Sequence, residues 1–216
     1  MEKEYIDDIK NYTPKNEQET NDKRIILDMI DNIGDDILTR NVEYAHITSS
    51  SMVFNENFTK VLMVYHNIYD SWSWTGGHAD GEKDLYEVSL REAKEETGLK
   101  HLQPISESKD IISLEILPVF SHYKRGKFVS SHLHLNVTYG FIASEKEKLV
   151  VKEDENKGVM WIDIDKIDSY CSEKEMLSIY KKIINNVKES RHWWLFLCSK
   201  IFLIAYNKLR GDNYRC

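Results

Sequence analysis

Between Gly76 and Leu99 the chain reads GGHADGEKDLYEVSLREAKEETGL, a glycine turn running into a stretch that carries Glu92, Glu95 and Glu96. On a helix of about 3.6 residues per turn these carboxylates fall within an arc of roughly 100°, apart from the apolar arc of Tyr86, Leu90 and Ala93. Like charges at such spacing cost an exposed helix about 0.2 to 0.5 kcal/mol per pair, so a positive partner is expected to offset them. A hard divalent cation suits the set, because Mg²⁺ takes oxygen ligands and binds through a few carboxylates together with substrate phosphates. Arg91 lies about 40° around the helix from Glu95 and can hold a carboxylate by a forked hydrogen bond. A solvated acidic helix is the competing reading of three glutamates taken alone.

The surrounding spacing favours the metal. Gly77, Arg91, Glu92, Ala93, Glu95, Glu96, Gly98 and Leu99 stand at the relative positions of G-x5-E-x7-R-E-U-x-E-E-x-G-U, where U is aliphatic. On these residues the segment resembles the Nudix hydrolase signature. It departs from it once: Lys83 occupies the place of the first glutamate, with Glu82 just before and Asp84 just after. The Gly77 to Arg91 spacing is kept, so the turn reads as one residue shorter, with one extra residue before the helix.

The resemblance implies an α/β fold, a Nudix-like α/β/α sandwich with a mixed β-sheet, over roughly Tyr44 to Lys188. It implies Mg²⁺ or Mn²⁺ as cofactor and hydrolysis of the pyrophosphate linkage of a nucleoside diphosphate joined to another moiety. Glu92, Glu95 and Glu96 would be the metal ligands, Glu95 also a general base, and Arg91 their positioning partner. Glu155, from the acidic run Glu153 to Glu155 ahead of a strand around Trp161, would be a further ligand or base. Gly77 and Trp74 are expected on the substrate side; for Trp72 and Trp74, packing of the turn competes with stacking on a base. Two other activities compete: a non-catalytic nucleotide-sensing module, disfavoured by the intact REAKEETGL, and an isoprenoid diphosphate isomerase, which would use a cysteine near the site.

These residues need elements to position them. Asp84 and Glu87 are spaced like a capping box, placing the helix start near Asp84, and Gly98 with Leu99 reads as its C-terminal cap. KVLMVYH, Lys60 to His66, reads as a buried strand before the turn, paired with a strand at Tyr44 to Phe54 across Asn55 to Thr59. Ile111 to Tyr123 and Phe128 to Ala143 form a second hairpin around Gly126. Within it Leu133, Leu135, Val137, Tyr139 and Phe141 alternate with His132, His134, Asn136 and Thr138, one face core and the other polar. His132 and His134 share that polar face, but local spacing supplies no third nitrogen or sulfur ligand, so a solvated or substrate-facing strand is preferred. Val159 to Ile162 reads as a short strand. Asn21 to Gly34 and Ser172 to Lys188 carry apolar residues at helical spacing.

The resulting organisation is an N-terminal helical extension at 1–40, a catalytic domain at 41–188 and an apolar C-terminal tail at 189–216. Of 216 residues 41% are hydrophobic and 30% charged, the profile of a globular protein. Lys and Arg number 29 against 36 acidic residues, a net charge of −7 that disfavours duplex nucleic acid as a partner. Cys171, Cys198 and Cys216 lack zinc-site or CxxC spacing, and MEKEYIDDIKNY lacks the basic and apolar regions of a secretory signal. A cytoplasmic protein with a small nucleotide-derived substrate is expected. The run WWLFLCSKIFLIAY, Trp193 to Tyr206, falls short of the roughly 20 residues that span a bilayer. It reads as a docking helix or a homo-oligomer contact, with membrane association the minor alternative.

Overall fold

A mixed sheet forms, and Gly76 and Gly77, expected as a turn, lie instead in a short strand paired with its central strand. In the computed structural model, which describes residues 5–67, 70–124 and 126–190, β1 (Ala45–Asn55) is a central strand. β2 (Lys60–His66) pairs antiparallel with β1 at Val53 and Phe54. β3 (Ser71–Ser73) then pairs with β2, while β4 (Thr75–His78) pairs with β1 from Thr48 to Ser51. Segment 71–78 thus fills the gap where β1 and β2 diverge, a role its short Trp/Ser alternation and two glycines do not announce.

On the far side of β1 lies β9 (His132–Ala143), parallel to it from Ala45 opposite Leu133 to Asn55 opposite Ala143. β5 (Gln103–Pro104) and β6 (Ser113–Val119) pair antiparallel with β9, and β10 (Asn156–Asp163) pairs with β2 at the other edge. The expected hairpin around Gly126 forms, but its ladder divides. β6 pairs with β9, while β7 (His122–Lys124) and β8 (Lys127–Val129) make a separate two-stranded ribbon. Between the two ladders the Ser131 hydroxyl, rather than a backbone carbonyl, accepts from Ser121 N at 3.0 Å.

α1 (Tyr5–Asn11) buries Tyr5 and Ile9 and is too short for its pattern to stand out. α2 (Glu17–Ile33) starts a turn earlier than its apolar periodicity, because Asn16 caps it by accepting from Glu19 N at 2.8 Å. α2 runs along β6, where Asp22 accepts from Ile116 N at 3.1 Å; this covers backbone groups that an edge strand would leave exposed. α3 (Leu85–Thr97) is capped as its sequence predicts: Asp84 accepts from Glu87 N at 3.1 Å, and Gly98 adopts φ 75° at the C-terminus.

Ile26 and Ile30 of α2 share one core with Ile47, Leu135, Val137, Tyr139 and Phe141 of the sheet and with Tyr86 and Ala93 of α3. Burying each large side chain there contributes about 1.5 to 3 kcal/mol. The opposite face of β9 is partly exposed at His132 and His134 but closed to solvent at the next positions along the strand. Asn136 and Thr138 are buried, and Asn136 Oδ1 accepts from Thr48 at 3.0 Å and Ser50 at 2.8 Å.

The chain divides after Glu173. In the second unit, residues 174–190 are helical, with Met176, Ile179, Tyr180, Ile183, Ile184 and Val187 at the spacing read from the sequence. Trp193 to Tyr206, Cys198 and Cys216 lie outside the described residues. No helix among the described residues is long and apolar enough to cross a membrane.

Candidate active site

The C-terminal half of α3 faces the glycine strand. Glu96 is buried, with 4% of its surface exposed; one carboxylate oxygen accepts from Gly76 N at 2.9 Å and the other from Asn156 Nδ2 at 2.9 Å. Burial pushes its pKa up from 4.5 to about 7, aided by the Glu92 and Glu155 charges and opposed by its two hydrogen bonds. Glu92 is also raised, first by burial and then by Glu95, while Lys152 and Arg91 pull it back. Gly77 is what lets Glu92 in: a Cβ at Gly77 would lie 2.5 Å from the Glu92 carboxyl carbon. Glu95 is half-exposed.

The irregular Glu82, Lys83, Asp84 run resolves into three separate jobs. Glu82 pairs with Arg91 at 2.7 Å, Lys83 pairs with Asp35 at 2.6 Å, and Asp84 caps α3. Anchored by Glu82, the Arg91 guanidinium reaches toward Glu92 at 3.7 Å and Glu95 at 4.0 Å. Glu82, in the turn ahead of α3, thus supplies the acidic partner one position earlier than the signature spacing.

Glu155 reaches the same place from the turn ahead of β10. Lys152 lies 3.1 Å from Glu155 and 3.6 Å from Glu95, linking the loop to α3. Sequence reasoning missed Lys152 and Asn156. Their only local signal is a lysine and an amide flanking the acidic run Glu153 to Glu155, which reads as solvated charge until β10 is placed beside β2. Trp74 is buried with 8% exposure, while Trp72 is half-buried with its ring edge-on to Tyr65 at 5.4 Å. Cys171, a buried free cysteine, contacts Ser71 Oγ at 3.9 Å and the Glu173 carbonyl at 3.4 Å.

The donors of α3 and the Glu155 loop are all carboxylate oxygens, and mutual repulsion contributes to the raised proton affinity of two of them. Such a set fits a hard divalent cation.

A search of curated proteins returns no match. Among solved structures the chain is similar to a C. elegans Ap4A hydrolase, with 17% identity, 63% of this chain and 93% of that one covered, and a TM-score of 0.45. It is similar to a NUDIX-family hydrolase from Clostridium perfringens at 21% identity, covering 65% of this chain and 96% of that one, TM-score 0.45. For the E. coli dihydroneopterin triphosphate pyrophosphohydrolase the values are 14% identity, 65% and 95% coverage, and 0.48. The family model of the NUDIX domain matches residues 45–187, a span that holds the whole glycine strand, α3 and the Glu155 loop. The chain therefore belongs to the Nudix hydrolase family.

Proposed function

We propose that the protein hydrolyses the pyrophosphate linkage of a nucleoside diphosphate joined to another moiety, with Mg²⁺ or Mn²⁺ held by Glu92, Glu95 and Glu96. When bound there, the cation neutralises phosphate charge and lowers the pKa of the attacking water. Glu96, gripped at both oxygens, is a fixed ligand. Glu95 is the most exposed of the three and takes the water's proton as general base; Glu155 serves as a further ligand or as the alternative base. Arg91, anchored on Glu82, holds Glu92 and Glu95 in register. Gly77 keeps room for Glu92, and Trp74, just ahead of the same strand, borders the substrate side. A small nucleotide-derived substrate, rather than duplex nucleic acid, accords with the net charge of −7.

The observation that carries this reading is the meeting of Glu95, from α3, with Glu155 around Lys152, from segments far apart in sequence. Its test is a panel of nucleoside diphosphate derivatives assayed with and without Mg²⁺ or Mn²⁺. Turnover is expected only with metal, and Glu95→Gln or Glu96→Gln should lower it by about 10²- to 10⁴-fold while the fold persists. Metal-independent turnover, or full activity in both variants, would sink the mechanism.

A further inference from the structure

His132 and His134 have the company that local spacing could not supply. The parallel register of β1 and β9 sets His46 beside His134. The antiparallel register of β1 and β4 sets His78 beside Thr48, two residues from His46 and on the same face. Three strands thereby deliver four imidazoles to one spot, where one nitrogen from each lies within 4.8 Å of all the others. None of the four belongs to the glutamate site.

Their tautomers can be read for two of the rings. His46 Nδ1 faces the Val42 carbonyl at 3.2 Å, and His132 Nδ1 faces the Ser130 carbonyl at 2.9 Å. A carbonyl only accepts, so each Nδ1 carries the hydrogen and each Nε2 keeps its lone pair. A backbone carbonyl on the outer ring nitrogen is the arrangement that orients metal-binding histidines. His46 Nε2 is buried with no hydrogen-bond partner, and His132 Nε2 lies 3.2 Å from His134 Nε2. Four nitrogens around a tetrahedral Zn²⁺ stand about 3.3 to 3.4 Å apart, given bonds of about 2.0 to 2.1 Å. One pair is already at that separation, and the other pairs lie within 4.8 Å.

We infer that His46, His78, His132 and His134 form a second metal site, chemically distinct from the carboxylate site, that takes a divalent transition ion of the zinc class. Nitrogen-only donors select Zn²⁺, Cu²⁺, Ni²⁺ or Co²⁺ and offer little to Mg²⁺. With four protein ligands the site is closed, which is the structural rather than the catalytic pattern. It ties β9 to β1 and to the last residue of β4.

The test uses the full chain dialysed against Zn²⁺ in excess Mg²⁺ and then against buffer, with bound zinc counted by elemental analysis. About one zinc per chain should remain in the wild type and in Glu96→Gln, and none in His46→Gln or His134→Gln whose circular dichroism matches the wild type. X-ray absorption of the zinc-loaded wild type, which needs no variant, should show the outer-shell multiple scattering of about four imidazoles, and the Co²⁺-substituted protein should show the strong visible absorption bands of tetrahedral coordination. Absence of retained zinc, a spectrum without imidazole multiple scattering, or loss of zinc from Glu96→Gln alone would overturn the assignment. Because the readout is zinc content and ligand type, it stands or falls independently of pyrophosphate hydrolysis.

Discussion

Two adjacent glycines predict opposite mutational outcomes. A methyl group at Gly77 would strike the flexible side chain of Glu92, at 2.5 Å from its carboxyl carbon, whereas at Gly76 it would meet backbone of Ser49 and Ser50 at 2.9 Å. Gly77→Ala should therefore fold with near-normal stability and lose metal-dependent turnover through a displaced Glu92. Gly76→Ala should lose about 1 to 3 kcal/mol, as overpacked sites do. Urea unfolding beside an activity assay separates them. Glu96 supplies a pH prediction. Its folded pKa of about 7 lies above the ordinary 4.5, so between those values the folded chain binds more protons than the unfolded one. The stabilisation is complete below the lower value and lost as pH rises through the upper, of order 3 kcal/mol at most. In chelator, the wild-type urea midpoint should fall from about pH 5 to 8, and the Glu96→Gln midpoint should fall much less. A wild-type midpoint that rises over that window would contradict the assignment.

At the scale of elements, α3 was fully legible from its residues because its determinants are local: cap, apolar arc and terminal glycine lie within one short run. Asp84→Ala should cost about 1 kcal/mol in unfolding free energy, the usual worth of such a cap. The Glu92, Glu95 and Glu96 face could be read the same way. The partners of that face could not. Lys152 and Asn156 reach it through β10 pairing with β2, and the four histidines meet through strand registers that no local window contains. β3 and β4 escaped notice for a related reason: three- and four-residue strands carry too few side chains to display an alternation. The polar face of β9 was visible in sequence, but its burial depends on β1 supplying Thr48 and Ser50 as partners.

For the whole molecule, the N-terminal helices are built into the same core as the sheet. Tyr5, Ile9, Ile26, Ile30, Ile37 and Leu38 are buried, and a polar connection links them to β6. There Glu19 accepts from Tyr12 OH at 2.7 Å and Ser113 Oγ at 3.2 Å, all buried. A chain lacking residues 1–40 would expose that apolar surface and leave the Ile116 N–H of β6 without Asp22. It should be insoluble or, if soluble, bind hydrophobic dyes strongly; a monomeric truncated protein with a wild-type melting temperature would refute this integration. Tyr12→Phe is a milder probe, expected to cost about 1 to 3 kcal/mol because it deprives a buried carboxylate of a donor.

The three residues 76–78 face alternately, and each turn of that alternation has a consumer. Gly76 gives its N–H to Glu96, Gly77 makes way for Glu92, and His78 looks to the other side of the sheet toward His46. A single inserted residue after Gly76 would reverse the side of everything that follows, since strand side chains repeat every second position. The segment is thus more sensitive to a change of length than to most changes of identity. One added residue would bring an imidazole against α3 and remove it from its three companions, so a single insertion would be expected to disable both places at once where a substitution disables only one.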